Sequence, residues 1–245
     1  MEYGEWLLRQ KKQIRMEALD LAIESGNGHL ASAFSIVEIL IALEETLKER
    51  DRFILSKGHG CLSFYVWLRR RGFNPTISGH PDIQTSEGIE CTTGSLGHGL
   101  PIGVGMAFAK KLKAEEGNIY VLMGDGEMQE GTTWESLLLA SHHKLDNLTV
   151  IVDCNGLQSL GKTDDILSLG NLPDKLTAFG CFVVEADGHN VEDIGLALRY
   201  ITLKPKVIIA HTTKGKGISF MEDNPVWHNR LPEGEQLVKA YKELA

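Results

Sequence analysis

The chain has 245 residues, 42% of them hydrophobic and 24% charged, which suffices to bury a core in one large domain. Those proportions exclude a mainly disordered or fibrous chain. A net charge of −8 excludes the basic footprint of a nucleic-acid-binding domain, so no nucleic-acid partner is expected.

Residues 3–24 carry apolar positions at helical spacing (Trp6, Ile14, Leu19, Ala22, Ile23) and end in the stop cluster Ser25-Gly26-Asn27-Gly28. A second helix is predicted over residues 35–47. A short strand at 52–55 precedes Ser56-Lys57-Gly58-His59-Gly60, and a helix follows over 61–71. Residues 72–97 hold no period, and a loop of that length in a compact domain is usually functional or partly disordered. Helices are predicted at 98–114, 130–144, 173–179 and 191–200, and strands at 119–123, 148–152, 181–184 and 206–210. A short helix near 234–244 closes the series. Apolar runs of about five residues alternating with helices describe buried parallel strands, hence an α/β fold with helices on both faces of a parallel sheet. Residues 1–245 read as one domain.

Cys61, Cys91, Cys154 and Cys181 are widely spaced and form no C-x-x-C pair. The first 25 residues are charged throughout, unlike a signal peptide, and no uncharged apolar window approaches a membrane span. The expectation is a cytoplasmic protein with reduced thiols and no membrane partner.

Ligands of open parallel sheets gather at the carboxyl ends of the strands. Here those ends carry Gly124-Asp125-Gly126, Asp153-Cys154-Asn155-Gly156, Asp187-Gly188-His189 and His211-Thr212-Thr213-Lys214. Asp125 and Asn155 offer hard oxygens of the kind Mg²⁺ prefers, and Gly126 leaves a bare N–H for a phosphate. Asp-Gly and Asn-Gly are also common turn dipeptides, although the pairing on neighbouring strand ends favours a site. His29, His59, His80, His98 and His228 lie in or beside glycine- or proline-containing segments, where each is either a ligand-facing imidazole or a surface or capping residue. His142 and His143 lie mid-helix and His189 in a turn, which favours structural roles, while His211 is open. Lys57, Lys214 and Lys216 either attract phosphate or are solvated loop lysines. Glu130, near a helix start, has an ordinary capping role as its alternative.

In combination, GDGEMQEGTTWESLLLASHHKLDNLTVIVDCNGLQ strongly resembles the thiamine diphosphate motif of transketolases. SGNGHLASAFS, DRFILSKGHG, SGHPD, TTGSLGHGLPIGVGMA and KGKGISFMEDNPVWH resemble further family segments in the same order, so the similarity covers nearly the whole chain. The resemblance implies thiamine diphosphate with Mg²⁺ (or Ca²⁺ or Mn²⁺) and transfer of a two-carbon ketol unit from a ketose, as its phosphate, to an aldose. It assigns Asp125, Asn155 and the Leu157 carbonyl to the metal. It places His59, Gly126 and His228 on the diphosphate, and Gly94, Leu96 and Gly97 along the cofactor rings. His29, His80 and His228 are expected at the sugar hydroxyls as catalytic residues, and Glu130 at the border with a partner.

A complete transketolase is more than twice this length, so the chain resembles the N-terminal subunit of a split enzyme. Its expected partner is a C-terminal subunit carrying the pyrimidine-binding domain, in a heterotetramer. His98, Asn27-Gly28, Leu30 and Asn190 depart from the usual family residues, mostly near the donor-sugar end. Rival readings are another thiamine diphosphate enzyme, such as the α subunit of a 2-oxoacid dehydrogenase or a deoxyxylulose phosphate synthase, and a catalytically silent regulatory partner.

Overall fold

The computed structural model describes residues 3–245. Helices α1 (Tyr3–Ser25), α2 (Leu30–Phe34) and α3 (Val37–Thr46) lead into strand β1 (Arg52–Leu55) and α4 (Cys61–Arg70). After a long loop come α5 (Gly99–Leu112), β2 (Ile119–Gly124), α6 (Gly131–His142) and β3 (Leu148–Cys154). A hairpin of β4 (Leu157–Gln158) and β5 (Gly161–Lys162) runs into α7 (Thr163–Leu167), α8 (Leu172–Ala178), β6 (Phe182–Asp187), α9 (Val191–Arg199), β7 (Lys206–His211) and α10 (Glu235–Leu244).

The main sheet is parallel throughout, in the order β1-β2-β3-β7-β6. Its register explains the continuous apolar runs. Leu55, Leu122, Ile151, Ile208 and Val184 form one row across all five strands and pack into the core beneath α1, α3, α4 and α9. The adjacent row, Ile54, Val121, Val150, Val207 and Val183, enters the opposite core beneath α5, α6 and α8. Alternate side chains thus meet two different apolar layers, and both layers exclude water.

The α/β architecture matches the reading from sequence, with local corrections. The helix expected over 35–47 is α3, and an unexpected short helix, α2, precedes it; between them Ser35 turns its hydroxyl onto the Ser32 carbonyl and the Asp153 carboxylate. Strand β6 extends to Asp187, beyond the expected end at 184. The β4–β5 hairpin and α7 carry no periodic signal and were not expected. The aperiodic loop is tied down rather than loose. Gln84 pairs with Ile89, and Tyr65 reaches Ser78 at 3.2 Å.

Candidate active site

Strand ends β2 and β3 and the segment after β7 open onto a cavity of ≈ 270 Å³. Asp125 follows β2 directly and is buried. Its Oδ1 accepts from the Gly126 N–H at 2.9 Å, and its Oδ2 from the Gly156 N–H at 2.8 Å and the Thr163 hydroxyl at 3.0 Å. Burial, then the nearby Asp153 carboxylate, push the Asp125 pKa up. This carboxylate has neutral donors and, among the described residues, no cationic side chain bonded to it.

Asn155, just after β3, is held from two sides. Its amide donates to Asp153 at 3.0 Å, and its carbonyl oxygen accepts from the Leu157 N–H at 3.1 Å. Asp153 is fully buried and also takes Ser35 at 2.7 Å, together with Lys57 and Thr212. The Leu157 carbonyl accepts from the Lys214 amine at 3.3 Å. Among the described residues no cluster of three or more His, Cys, Asp or Glu side chains forms a metal site. The oxygen set of one carboxylate, one amide and one carbonyl, with ligand phosphates and water for the rest, suits Mg²⁺ or Ca²⁺ rather than a softer metal.

Four imidazoles from distant segments converge on the other wall. His29 lies at the centre, with ring centroids 6.0 Å from His59, 5.6 Å from His80 and 5.5 Å from His228. His59 and His228 are 5.7 Å apart. Burial, followed by the charge of Lys214, pulls His228 down to about 4. Burial and neighbouring His80 lower His29, and burial with Lys57 takes His59 well below its ordinary range. At neutral pH His29, His59 and His228 are uncharged, so each of these three presents one N–H and one lone pair. The Lys214 amine, buried and lowered to about 8 by burial and Lys57, lies 2.9 Å from Nδ1 of His228.

Glycine permits the close approaches on this wall. Gly94 (φ 128°) lies so near His80 that a Cβ would sit 3.0 Å from the ring. Gly97 (φ 80°) would place one 2.6 Å from the Cβ of Glu130.

The structure therefore brings His29, His59, His80, Gly94, Leu96, Asp125, Gly126, Glu130, Asn155, Leu157 and His228 to one cavity. Gly97 stands behind that wall, its N–H given to Glu127 at 2.8 Å. His98 is exposed and turns back onto the Leu96 carbonyl, and His211 pairs with Glu185 at the surface. His189 is structural. It receives the Thr213 N–H on Nε2 and gives Nδ1–H to Glu38, away from the cavity. Lys57 lines the cavity but is ion-paired to Asp153 rather than solvated. Two positioning carboxylates escaped sequence reasoning, Asp153 and Glu127. Glu127 gathers Ser56, the Gly97 N–H and, at 3.3 Å, the Gly124 N–H. Gln129, Gln158 and Ser159 also line the cavity without a sequence signal.

A parallel-sheet domain with hard oxygens on adjacent strand ends, facing neutral imidazoles and a buried lysine, is suited to a phosphate-bearing cofactor and its cation. The family described as transketolase, thiamine diphosphate binding domain, matches residues 9–243, and the chain belongs to it. The chain is 39% identical to an apulose-4-phosphate transketolase subunit of Phocaeicola vulgatus, over 98% of this chain and 94% of the relative. It is 36% identical to a 6-deoxy-6-sulfo-D-fructose transketolase subunit of Clostridium sp., over 97% of this chain and 96% of that one. The transketolase structure from Campylobacter jejuni superposes with a TM-score of 0.88 at 30% identity, covering 100% of this chain and 43% of that chain. The chain thus spans a little over two fifths of that transketolase, and nearly all of the two relatives named as subunits.

Proposed function

We propose that this chain is the cofactor-holding subunit of a two-subunit transketolase that moves a two-carbon ketol unit from a ketose phosphate to an aldose. The observation that carries the reading is the set of imidazoles from His29, His59, His80 and His228 facing the Asp125–Asn155 oxygen pair. Asp125, Asn155 and the Leu157 carbonyl hold Mg²⁺ (Ca²⁺ and Mn²⁺ suit the same oxygens), and the buried, cation-free Asp125 carboxylate supports this. His59, Gly126, Lys214 and His228 bind the diphosphate, with Gly94, Leu96 and Gly97 shaping the channel along the cofactor rings. Thiamine diphosphate, when bound, supplies the means of breaking and making a carbon–carbon bond next to a carbonyl. His29, His80 and His228 hold the sugar hydroxyls and move protons there.

The partner is a C-terminal subunit with the pyrimidine-binding domain, and the assembly is a heterotetramer. Support comes from relatives that are themselves named as transketolase subunits and from an exposed apolar face on α5 and α6, where Ile102, Leu138 and Leu139 are 39%, 57% and 51% exposed. Glu130 stands at the start of α6 and reaches towards that partner. The location is cytoplasmic. Among the described residues no helix is long and apolar enough to cross a membrane.

A coupled ketol-transfer assay of this chain, the partner and their mixture tests the reading. Turnover is expected only from the mixture. Equal turnover by this chain alone refutes the split, and pyruvate as the preferred donor refutes the transketolase assignment.

A further inference from the structure

We propose that Asn27 is a positioning residue that fixes the tautomer of His29 and links His29 to the segment carrying His80. Asn27 is buried at the end of the turn between α1 and α2. Its Oδ1 accepts from the backbone N–H of His29 at 3.0 Å. A backbone N–H can only donate, so the atom facing it is the amide oxygen and not the nitrogen. The same Oδ1 lies 3.2 Å from Nδ1 of His29. An amide oxygen has no hydrogen to give, so Nδ1 must carry the proton. Nε2 is then the bare lone pair, and among the described residues it has no hydrogen-bond partner. His29 lines the cavity, at the centre of the imidazole group.

The other end of the amide completes the device. Nδ2 of Asn27 donates to the Gly79 carbonyl at 3.3 Å and approaches Sγ of Cys61 at 3.5 Å. Gly79 immediately precedes His80, so one side chain is bonded both to His29 and to the backbone beside its neighbouring imidazole. The two rings come from segments about fifty positions apart, and their 5.6 Å separation depends on a tie of this kind. The consequence for chemistry is that His29 meets a sugar hydroxyl as an acceptor, ready to take its proton. That consequence rests on the transketolase reading, whereas the tautomer and the tie do not.

The test uses the full chain with ¹⁵N-labelled histidine, without cofactor or sugar, at a pH where imidazoles are neutral. Long-range ¹H–¹⁵N spectra identify which ring nitrogen is protonated, and His29→Gln assigns the signal by its loss. Wild-type His29 is expected as the Nδ1–H form. Asn27→Ala should shift it towards Nε2–H and weaken the NOE between the His29 and His80 ring protons, whose ring centroids are 5.6 Å apart. Asn27→Asp keeps the acceptor but lacks the donor to the Gly79 carbonyl, so it should retain Nδ1–H while the His29–His80 NOE falls at least twofold. An Nε2–H signal in the wild type overturns the tautomer assignment without any variant having to fold. An unchanged His29–His80 NOE in Asn27→Asp overturns the link. Either result stands apart from the ketol-transfer assay, whose failure would leave the tautomer and ring-proximity measurements in place.

Discussion

Glu38 on α3 is the carboxylate of a buried ion pair whose strength can be read against pH. Arg15 NH1 and NH2 grip its two oxygens at 2.9 and 2.8 Å, His189 adds Nδ1–H at 3.1 Å, and both Arg15 and Glu38 are about 4% exposed or less. Burial alone would raise the Glu38 pKa, but the Arg15 charge and these donors outweigh it and bring the group from 4.5 to about 2. The sign follows from proton uptake. Between the two values the unfolded chain binds the proton and the folded one does not, so the stabilisation is complete above 4.5 and is lost as pH falls through about 2. At ~1.4 kcal/mol per pH unit this is about 3 kcal/mol at neutral pH. Glu38→Gln should therefore cost about 3–5 kcal/mol in urea unfolding at pH 7, because the Arg15 guanidinium is left buried without its counter-charge. The difference from wild type should shrink as the pH is lowered towards the folded-state value. Arg15→Met combined with Glu38→Leu should recover much of the loss, since the desolvation of both charges is then avoided. A loss below about 1 kcal/mol, which is the range of solvent-screened pairs, or one independent of pH, would refute the reasoning.

Asp125→Asn should abolish Mn²⁺-dependent binding of thiamine diphosphate by calorimetry while the chain still folds, because relief of a buried carboxylate whose ionisation burial and Asp153 oppose partly offsets the backbone N–H that would then face the new NH₂. Retained binding would remove the metal assignment. His29→Ala, His80→Ala and His228→Ala, each assayed with the partner, should lower kcat/KM by about 10-fold or more, on the order of 1.4 kcal/mol. Normal turnover with lowered thermal stability would show these rings to be structural. His228 titrates near 4 folded against 6.5 unfolded, so the unfolded chain takes up its proton first and stability should fall as pH drops from 6.5 towards 4. His228→Gln should flatten that part of the pH–stability curve, and an unchanged curve would contradict the buried, neutral ring.

The parallel sheet was legible because residues such as Ile54 and Leu55 are buried on opposite faces, which removes polar positions from the strand altogether. Asp125 and Asn155 showed for a related reason, since each lies within three residues of an apolar run that ends on the same edge. The converging histidines showed only as imidazoles in glycine-containing loops, and their meeting depends on contacts across the whole chain. Glu127 gave no signal, because its partner Ser56 is 71 positions away. Lys57 could not be told from a solvated lysine, its carboxylate being 96 positions distant. The Asp187-Gly188-His189 turn suggested one more ligand-bearing strand end, but the sheet order places β6 at the margin, beyond β7. There His189 braces the Glu38 network instead.

The imidazole group also sets a timetable for biogenesis. Three of its members belong to the first third of the chain, whereas His228 is made only after every strand of the sheet has been synthesised. A nascent chain can pair β1, β2 and β3 while the pocket still lacks a wall. Cofactor, which stabilises only the form that binds it, therefore gives no help to those early stages. The wall is complete only when His228 has joined it, so stabilisation of this pocket by a bound ligand belongs to the finished fold.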